Sequence, residues 1–435
     1  MKVHKIILTV LIILALTFPA GRWSAAQAKG ANPPATEEET RLSTFGVGAG
    51  RVWPERVFAP FVDITAWVSD AAYTSGGALN LAKVNRDTGV LYYNLGFIAY
   101  DKNGDYKEGA YGKMLPWCFG GYPELSQGSP HSQYKGIKNS ITGIREAGGD
   151  IAVSIGGGIE GSNFFQRMQD AEILKNTYLD IIYGFGLTRL DLDIEGGGLN
   201  KAQNVANAKA IKQAQEITGI QLTLTLPASP SGLSKAGLGV LDAYLEQGVD
   251  IEILNLMTMC YDTGTLKKGE SYGEGAIRAG EAAKAQLQAR YLAKTGMPLS
   301  DKQAYARIGT TISIGYQSAR YPVFTAEWAG FMYDWAIAKD IGMLSFWSMN
   351  RDSKTQTNKG VISQYDFTRA YIDFTGNITE STAEGVKEER DAPAAEQATE
   401  NKRPFSSDAL LFGLFAFALI VAAKAFRLIK TLMSR

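Results

Sequence analysis

Histidine is almost missing from this chain. Its 435 residues hold two, and His4 falls in a leader-like N-terminus, which leaves His131 alone in the remainder. Histidine-cluster metal centres are thereby excluded, and a Ser-His-Asp or Cys-His catalyst would have to run through His131. Cysteine is equally scarce: Cys118 and Cys260 cannot build a disulfide framework, and one bridge is the most they permit. Neither sign of charge is in excess, since 44 Lys and Arg balance 44 Asp and Glu. No broad basic surface for nucleic acid follows from such a balance. The 20% charged and 45% hydrophobic residues are those of an ordinary globular protein. Any catalysis must then rest on carboxylates, hydroxyls or lysine.

The two ends differ from the middle. Residues 1–28 have the layout of a secretory signal, with Lys2 and Lys5 ahead of an apolar run over 6–18 and a small-residue cleavage site at Ala26-Gln27-Ala28. An uncleaved membrane anchor is the alternative. The mature chain would begin near Lys29, outside the cytoplasm, with 29–50 as a polar linker. Near the C-terminus, residues 409–423 are apolar without interruption, and Lys424, Arg427, Lys430 and Arg435 follow. Fifteen helical residues reach ~22 Å, and snorkelling by Lys424 extends the usable span through Phe426 to ~27 Å, close to the ~30 Å of a bilayer core. We expect a membrane anchor over 408–427 and a basic cytoplasmic tail over 428–435. Between body and anchor, residues 380–400 carry seven acids and two bases with no apolar period, so 376–407 is expected to be a disordered acidic tether. The folded part is then 51–375, the size of one large domain.

Within that body, short apolar runs alternate with longer helical patterns. Strands are predicted over 59–65, 91–99, 151–155, 189–194, 222–226, 253–257, 307–314 and 342–346. Helices are predicted over 134–147, 161–183, 202–217, 233–247, 275–293, 326–339 and 362–374. Strict alternation argues for parallel strands joined by crossovers. At this length eight such units suggest an α/β fold of the closed (β/α)8 TIM-barrel type, a single catalytic domain. An open doubly wound sheet is the alternative, although no Gly-x-Gly-x-x-Gly opens the first helix.

One local pattern carries chemistry. Asp191, Asp193 and Glu195 alternate with Leu190, Leu192 and Ile194, and Gly196-Gly197-Gly198 follows. In a strand the three acids share one face and the apolar residues the other. An exposed amphipathic edge would alternate in the same way, but strands covered by helices would bury the leucines and point the acids into the barrel mouth. Crowded carboxylates there share protons, which suits Glu195 to general-acid work. A divalent-cation site is the other functional reading, though hard-metal ligands usually gather from several segments.

At these residues the sequence resembles glycoside hydrolase family 18, the chitinases and their relatives. Asp191-Leu192-Asp193-Ile194-Glu195 matches the last three acids of the family's strand-four motif Asp-x-x-Asp-x-Asp-x-Glu. Ser154-Ile155-Gly156-Gly157 is similar to its strand-three Ser-x-Gly-Gly. The segment from Asn255 to Asp262 corresponds to the strand-six motif and that from Ser345 to Asp352 to the end of strand eight, with Phe58-Ala59-Pro60 at the start. Thr188 and Arg189 stand where the fullest motif has Asp and Gly, and Met259-Cys260 where many members have Tyr-Asp.

The resemblance implies substrate-assisted, retaining hydrolysis of β-1,4-linked N-acetylglucosamine in chitin or its oligomers, with no cofactor and no metal. It implies Glu195 as the acid, Asp193 as the group that orients the substrate's acetamido, and Asp191 as its proton-sharing partner. Ser154, Gly156 and Gly157 would hold the carboxylates from below. Trp347 and Met257 would meet the sugar, with either Tyr261 or Tyr316 and Gln317 at its acetamido group; apart from the resemblance, Trp117 in the loop after strand two reads as a stacking platform or a packing residue. Rival readings are a non-catalytic glycan-binding protein on the same fold and an enzyme for N-glycan cores or peptidoglycan-like chains. Partners are expected to be a carbohydrate substrate and the membrane, not nucleic acid, with the chain a monomer. Weaker signals are Asp101-Lys102-Asn103-Gly104-Asp105, read as an Asn-Gly turn more than a calcium loop, and Trp67, Phe119 and Tyr122 as stacking platforms.

Overall fold

In this computed structural model residues 41–159, 161–353 and 363–376 are described. They all belong to the first of two contact units, 1–377 and 378–435. The expected signal over 1–28, the tether beyond Gly376, the anchor and the basic tail lie outside the described residues. Among those that are described, no helix is long and apolar enough to cross a membrane.

Eight parallel strands build the barrel. β1 runs as Val57–Phe58 and, past Pro60, Phe61–Asp63. It is followed by β2 (Tyr92–Tyr100), β3 (Asp150–Gly156), β4 (Arg189–Asp193) and β5 (Gln221–Ser229). β6 (Ile251–Met257), β7 (Ile308–Ser313) and β8 (Met343–Trp347) complete it. Each pairs in parallel with its sequence neighbour, and β8 closes on β1 through Val57 with Met343 and Phe61 with Trp347. Closure leaves no free strand edge, which is the (β/α)8 architecture.

A helix follows each strand: α1 (Leu81–Thr88), α2 (Ser132–Glu146), α3 (Ala171–Phe185), α4 (Lys201–Thr218), α5 (Lys235–Glu246), α6 (Tyr272–Thr295), α7 (Ala326–Lys339) and α8 (Asp366–Tyr371). Their apolar faces and the outward residues of the strands, Leu190, Leu192 and Ile194 among them, form one buried shell. Helix α1 escapes the periodicity reading because its eight residues bury only Leu81 and Val84; Asn80 caps it and Gly89, at φ 79°, ends it. The helix expected over 161–183 begins only at Ala171, where Asp170 accepts from the Glu172 and Ile173 amides.

Residues 41–50 correct the expected linker. Val47 is fully buried, and the Phe45 ring meets Phe185 edge-on at 5.0 Å while its amide donates to the Gly184 carbonyl at 2.8 Å. Two apolar side chains in a polar stretch are enough to dock it. Buried Arg145 fastens this segment: its guanidinium pairs with Asp150 at 2.8 Å and donates to the Gly48 and Phe185 carbonyls at 3.0 and 2.7 Å.

Candidate active site

The parallel register fixes which side chains meet inside the barrel. Asp191 lies level with Ser154 on β3 and Thr223 on β5, and Asp193 level with Gly156 and Thr225. Asp191 is fully buried, yet both of its oxygens are served. Ser154 donates to one, and the Thr225 hydroxyl to the other at 2.5 Å. The chain of hydroxyls continues across the barrel, since Asn255 on β6 donates to Thr225 at 2.9 Å and to Thr311 on β7 at 2.8 Å. One polar layer therefore crosses five strands beneath the mouth. With both Asp191 oxygens held by hydroxyl donors, the cation-site reading loses its deepest ligand. Among the described residues no trio of His, Cys, Asp or Glu is arranged to hold a metal ion.

Asp193 stands one pleat nearer the mouth. Its Oδ1 is buried and has no hydrogen-bond partner. Burial pushes its carboxyl well above the usual range, and the facing charges of Glu195 and Asp191 push it further. Burial also raises Asp191, to about 7, against the opposing pull of the Ser154 and Thr225 hydroxyls. Glu195 follows the end of β4 in extended conformation (φ −136°, ψ 174°), and burial raises it too. The three acids thus face one way, as the alternation predicts, and burial favours their protonated forms.

Gly156, which ends β3, and Gly157, which follows it, each have a steric reason. Gly156 has φ 117°, and a Cβ there would lie 2.0 Å from the Asp193 carbonyl oxygen. At Gly157, φ 82°, a Cβ would enter the Phe97 ring at 2.7 Å. Only glycine lets β3 approach β4 this closely.

Asp193 and Glu195 open on a cavity of about 280 Å³, whose walls include Phe97, Met257, Gln317 and Trp347. The Trp347 ring stacks on Phe97 at 5.4 Å and 19°. Gln317 sets its amide against the Ser313 hydroxyl and the Arg351 guanidinium. Met259, Thr225, Thr311 and Ser313 also line this cavity and were missed as site residues. Period-two alternation of small hydroxyls in β5 and β7 was the available signal.

Three expected sugar contacts sit elsewhere. Tyr261 is buried against Tyr272, rings stacked at 4.1 Å, with its hydroxyl donating to the Tyr272 carbonyl. The left-handed turn at Cys260 (φ 54°) precedes it. Trp117 is a core residue, packed on Phe119 and Phe185 with its indole N–H on Asp180 at 3.0 Å. Tyr316 is half-buried and lies outside the cavity lining; its carbonyl accepts from Arg351 at 2.5 Å. Cys118 and Cys260 are both free thiols.

Asp193 and Glu195 thus open at the carboxyl end of one strand of a parallel barrel, the face on which such barrels carry their reactive groups. No protein-family model matches the chain. It is 26% identical over 342 residues to the "Probable bifunctional chitinase/lysozyme" of Escherichia coli (strain K12), covering 75% of this chain and 35% of that protein. With "Endochitinase 11" of Metarhizium anisopliae it shares 26% over 310 residues, 69% of this chain and 53% of the relative. The chain thus spans between about a third and about half of the length of these relatives. The catalytic domain of the hyperthermophilic chitinase from Pyrococcus furiosus matches with a TM-score of 0.59 and 26% identity, over 75% of this chain and 98% of that one. The chain is thus similar in sequence and fold to chitinases.

Proposed function

We propose that this chain hydrolyses β-1,4 linkages between N-acetylglucosamine units, with the substrate's own acetamido group as nucleophile. The observation that carries the reading is the unpartnered, buried Oδ1 of Asp193, set beside Glu195 in a cavity walled by Trp347. A buried polar atom without a partner costs free energy unless a ligand satisfies it, and a sugar acetamido N–H is a suitable donor.

Glu195, whose protonated form burial favours, gives its proton to the leaving glycosidic oxygen as that bond breaks. The acetamido oxygen closes on the anomeric carbon from the opposite face, and Asp193 holds the acetamido nitrogen and balances the positive charge that forms. Water, deprotonated by Glu195, then opens the ring and restores the β configuration. Retention with an internal nucleophile is the pattern of glycoside hydrolase family 18, which the sequence resembles. Asp191 acts through Asp193: its negative charge, when present, strengthens its neighbour's hold on a proton. Trp347 offers a flat apolar face to the sugar ring.

Incubation of the purified protein with chitin oligomers tests the reading. The wild type should release shorter sugars, and Glu195→Gln should bind the oligomers but turn over at least ~10³-fold more slowly. Retention of a tenth of the wild-type rate would remove Glu195 as the acid. Export and anchoring are read from residues 1–28 and 408–427 of the sequence, and membrane fractionation with external protease tests them.

A further inference from the structure

A second cavity, of about 570 Å³, lies next to the catalytic one. The two share loops: Gly158 and Glu195 line the first, Ile159 and Gly197 the second. Two residues of chain span at most ~7 Å, so the two cavities adjoin at Glu195.

Its chemistry differs from that of the catalytic cavity. Lys102 and Arg167 both line it, and among the described residues no Asp or Glu does. The carboxylate of Glu160 lies outside the described residues. Neither cation has an ion-pair partner among those described, whereas Arg145, Arg278 and Lys284 all do. The Arg167 guanidinium is held in position: it sits 5.8 Å over the Tyr100 ring, and Nη2 lies so close over Gly161 that a Cβ there would come within 2.5 Å. Gln166 spends its carbonyl oxygen on the Asn163 amide at 3.3 Å, leaving its NH₂ toward the cavity beside Gly197. Asn200 caps the 18-residue helix α4, whose positive end opens here.

We propose that this cavity is a subsite for a negatively charged substituent, a carboxylate or a sulfate ester, carried on the leaving-group side of the amino-sugar chain. The placement on that side rests on the reading of Glu195 as the acid, which stands between the two cavities. Guanidinium, ammonium, amide donors and a helix N-terminus all bind an anionic oxygen more strongly than the neutral oxygen of a hydroxymethyl group.

The test uses the full-length Glu195→Gln protein and three chitin tetramers: neutral, carboxylated at C6 and sulfated at C6. Calorimetric titration should give a charged tetramer binding at least about fivefold tighter than the neutral one, as two partly exposed ion pairs supply. That advantage should shrink between ~0.01 M and ~1 M salt. Adding Lys102→Gln and Arg167→Gln together should abolish it and leave the neutral Kd unchanged. The larger gain, from carboxylate or sulfate, identifies the group. Equal binding of all three tetramers overturns the subsite, as does a parallel loss of neutral binding in the double variant. Failure of the hydrolase reading is separable: wild type that cuts no tetramer while charged tetramers still bind tighter loses the reaction and keeps the anion site.

Discussion

Replacing Asp191 by Asn should change how stability depends on pH more than it changes stability itself. Asp191 has an ordinary pKa of 3.8 and is raised to about 7 by burial in the folded chain. The folded state therefore binds the proton more tightly than the unfolded state. The stability this confers is complete below about pH 4 and is lost as pH rises through about 7. The interval between 3.8 and about 7 corresponds to roughly 4 kcal/mol, an upper figure for a single buried group. Asn matches the protonated acid in shape and cannot ionise. Ser154 can turn its hydroxyl to accept from the new amide, and Thr225 still has a carbonyl oxygen to donate to. Urea unfolding at about pH 4.5 and about pH 8.5 reads the difference directly. Wild type should lose stability over that interval, and Asp191→Asn should lose at least ~2 kcal/mol less. Asp193 and Glu195, also raised by burial, remain in the variant and keep part of the slope with the same sign. Superimposable pH dependences for the two proteins would refute the placement of an ionisable, desolvated carboxyl at 191.

Gly156→Ala should destabilise the fold by more than ~2 kcal/mol, because its Cβ would meet backbone at Asp193 and its φ of 117° disfavours any side chain; chemical denaturation measures this, and a change under ~0.5 kcal/mol would contradict it. Tyr261→Phe should cost ~1–3 kcal/mol of stability, since the hydroxyl serves the buried Tyr272 carbonyl. KM for chitin oligomers should stay unchanged in that variant, and a rise of tenfold would return Tyr261 to the sugar site.

Much of the site could be read in the residue order because the strand period is two. Once β4 is taken as a covered strand, Asp191, Asp193 and Glu195 must face inward, and they do. Ser154, Gly156 and Gly157 come instead from the family resemblance, and the register sets Ser154 beside Asp191 and Gly156 beside Asp193. The aromatic and loop residues were a different matter. Trp117 is equally at home in a core and on a sugar, and only the packing of Phe119, Phe185 and Asp180 around it decides for the core. Tyr261 turns on the left-handed backbone at Cys260, a conformation that no side-chain pattern announces. The Thr225–Asn255–Thr311 layer needs three strands in register, which sequence separations of 30 and 56 residues conceal. Helix α1 and the docked segment 41–50 are too short for a period, and each is held by two apolar side chains and its caps or backbone hydrogen bonds.

The central claim is that the substrate supplies its own nucleophile. Asp193 and Glu195 lie two residues apart in an extended segment, their Cα atoms ~6.5–7 Å apart on one face. An inverting pair or a protein nucleophile needs its second carboxylate across the sugar ring from the acid. Proton NMR of chitin oligomers during the first moments of cutting, before mutarotation, reads the anomer directly. The account predicts β product, and no turnover of oligomers de-acetylated at the cleaved sugar. An α-anomer as first product, or equal turnover of the de-acetylated oligomers, would contradict it.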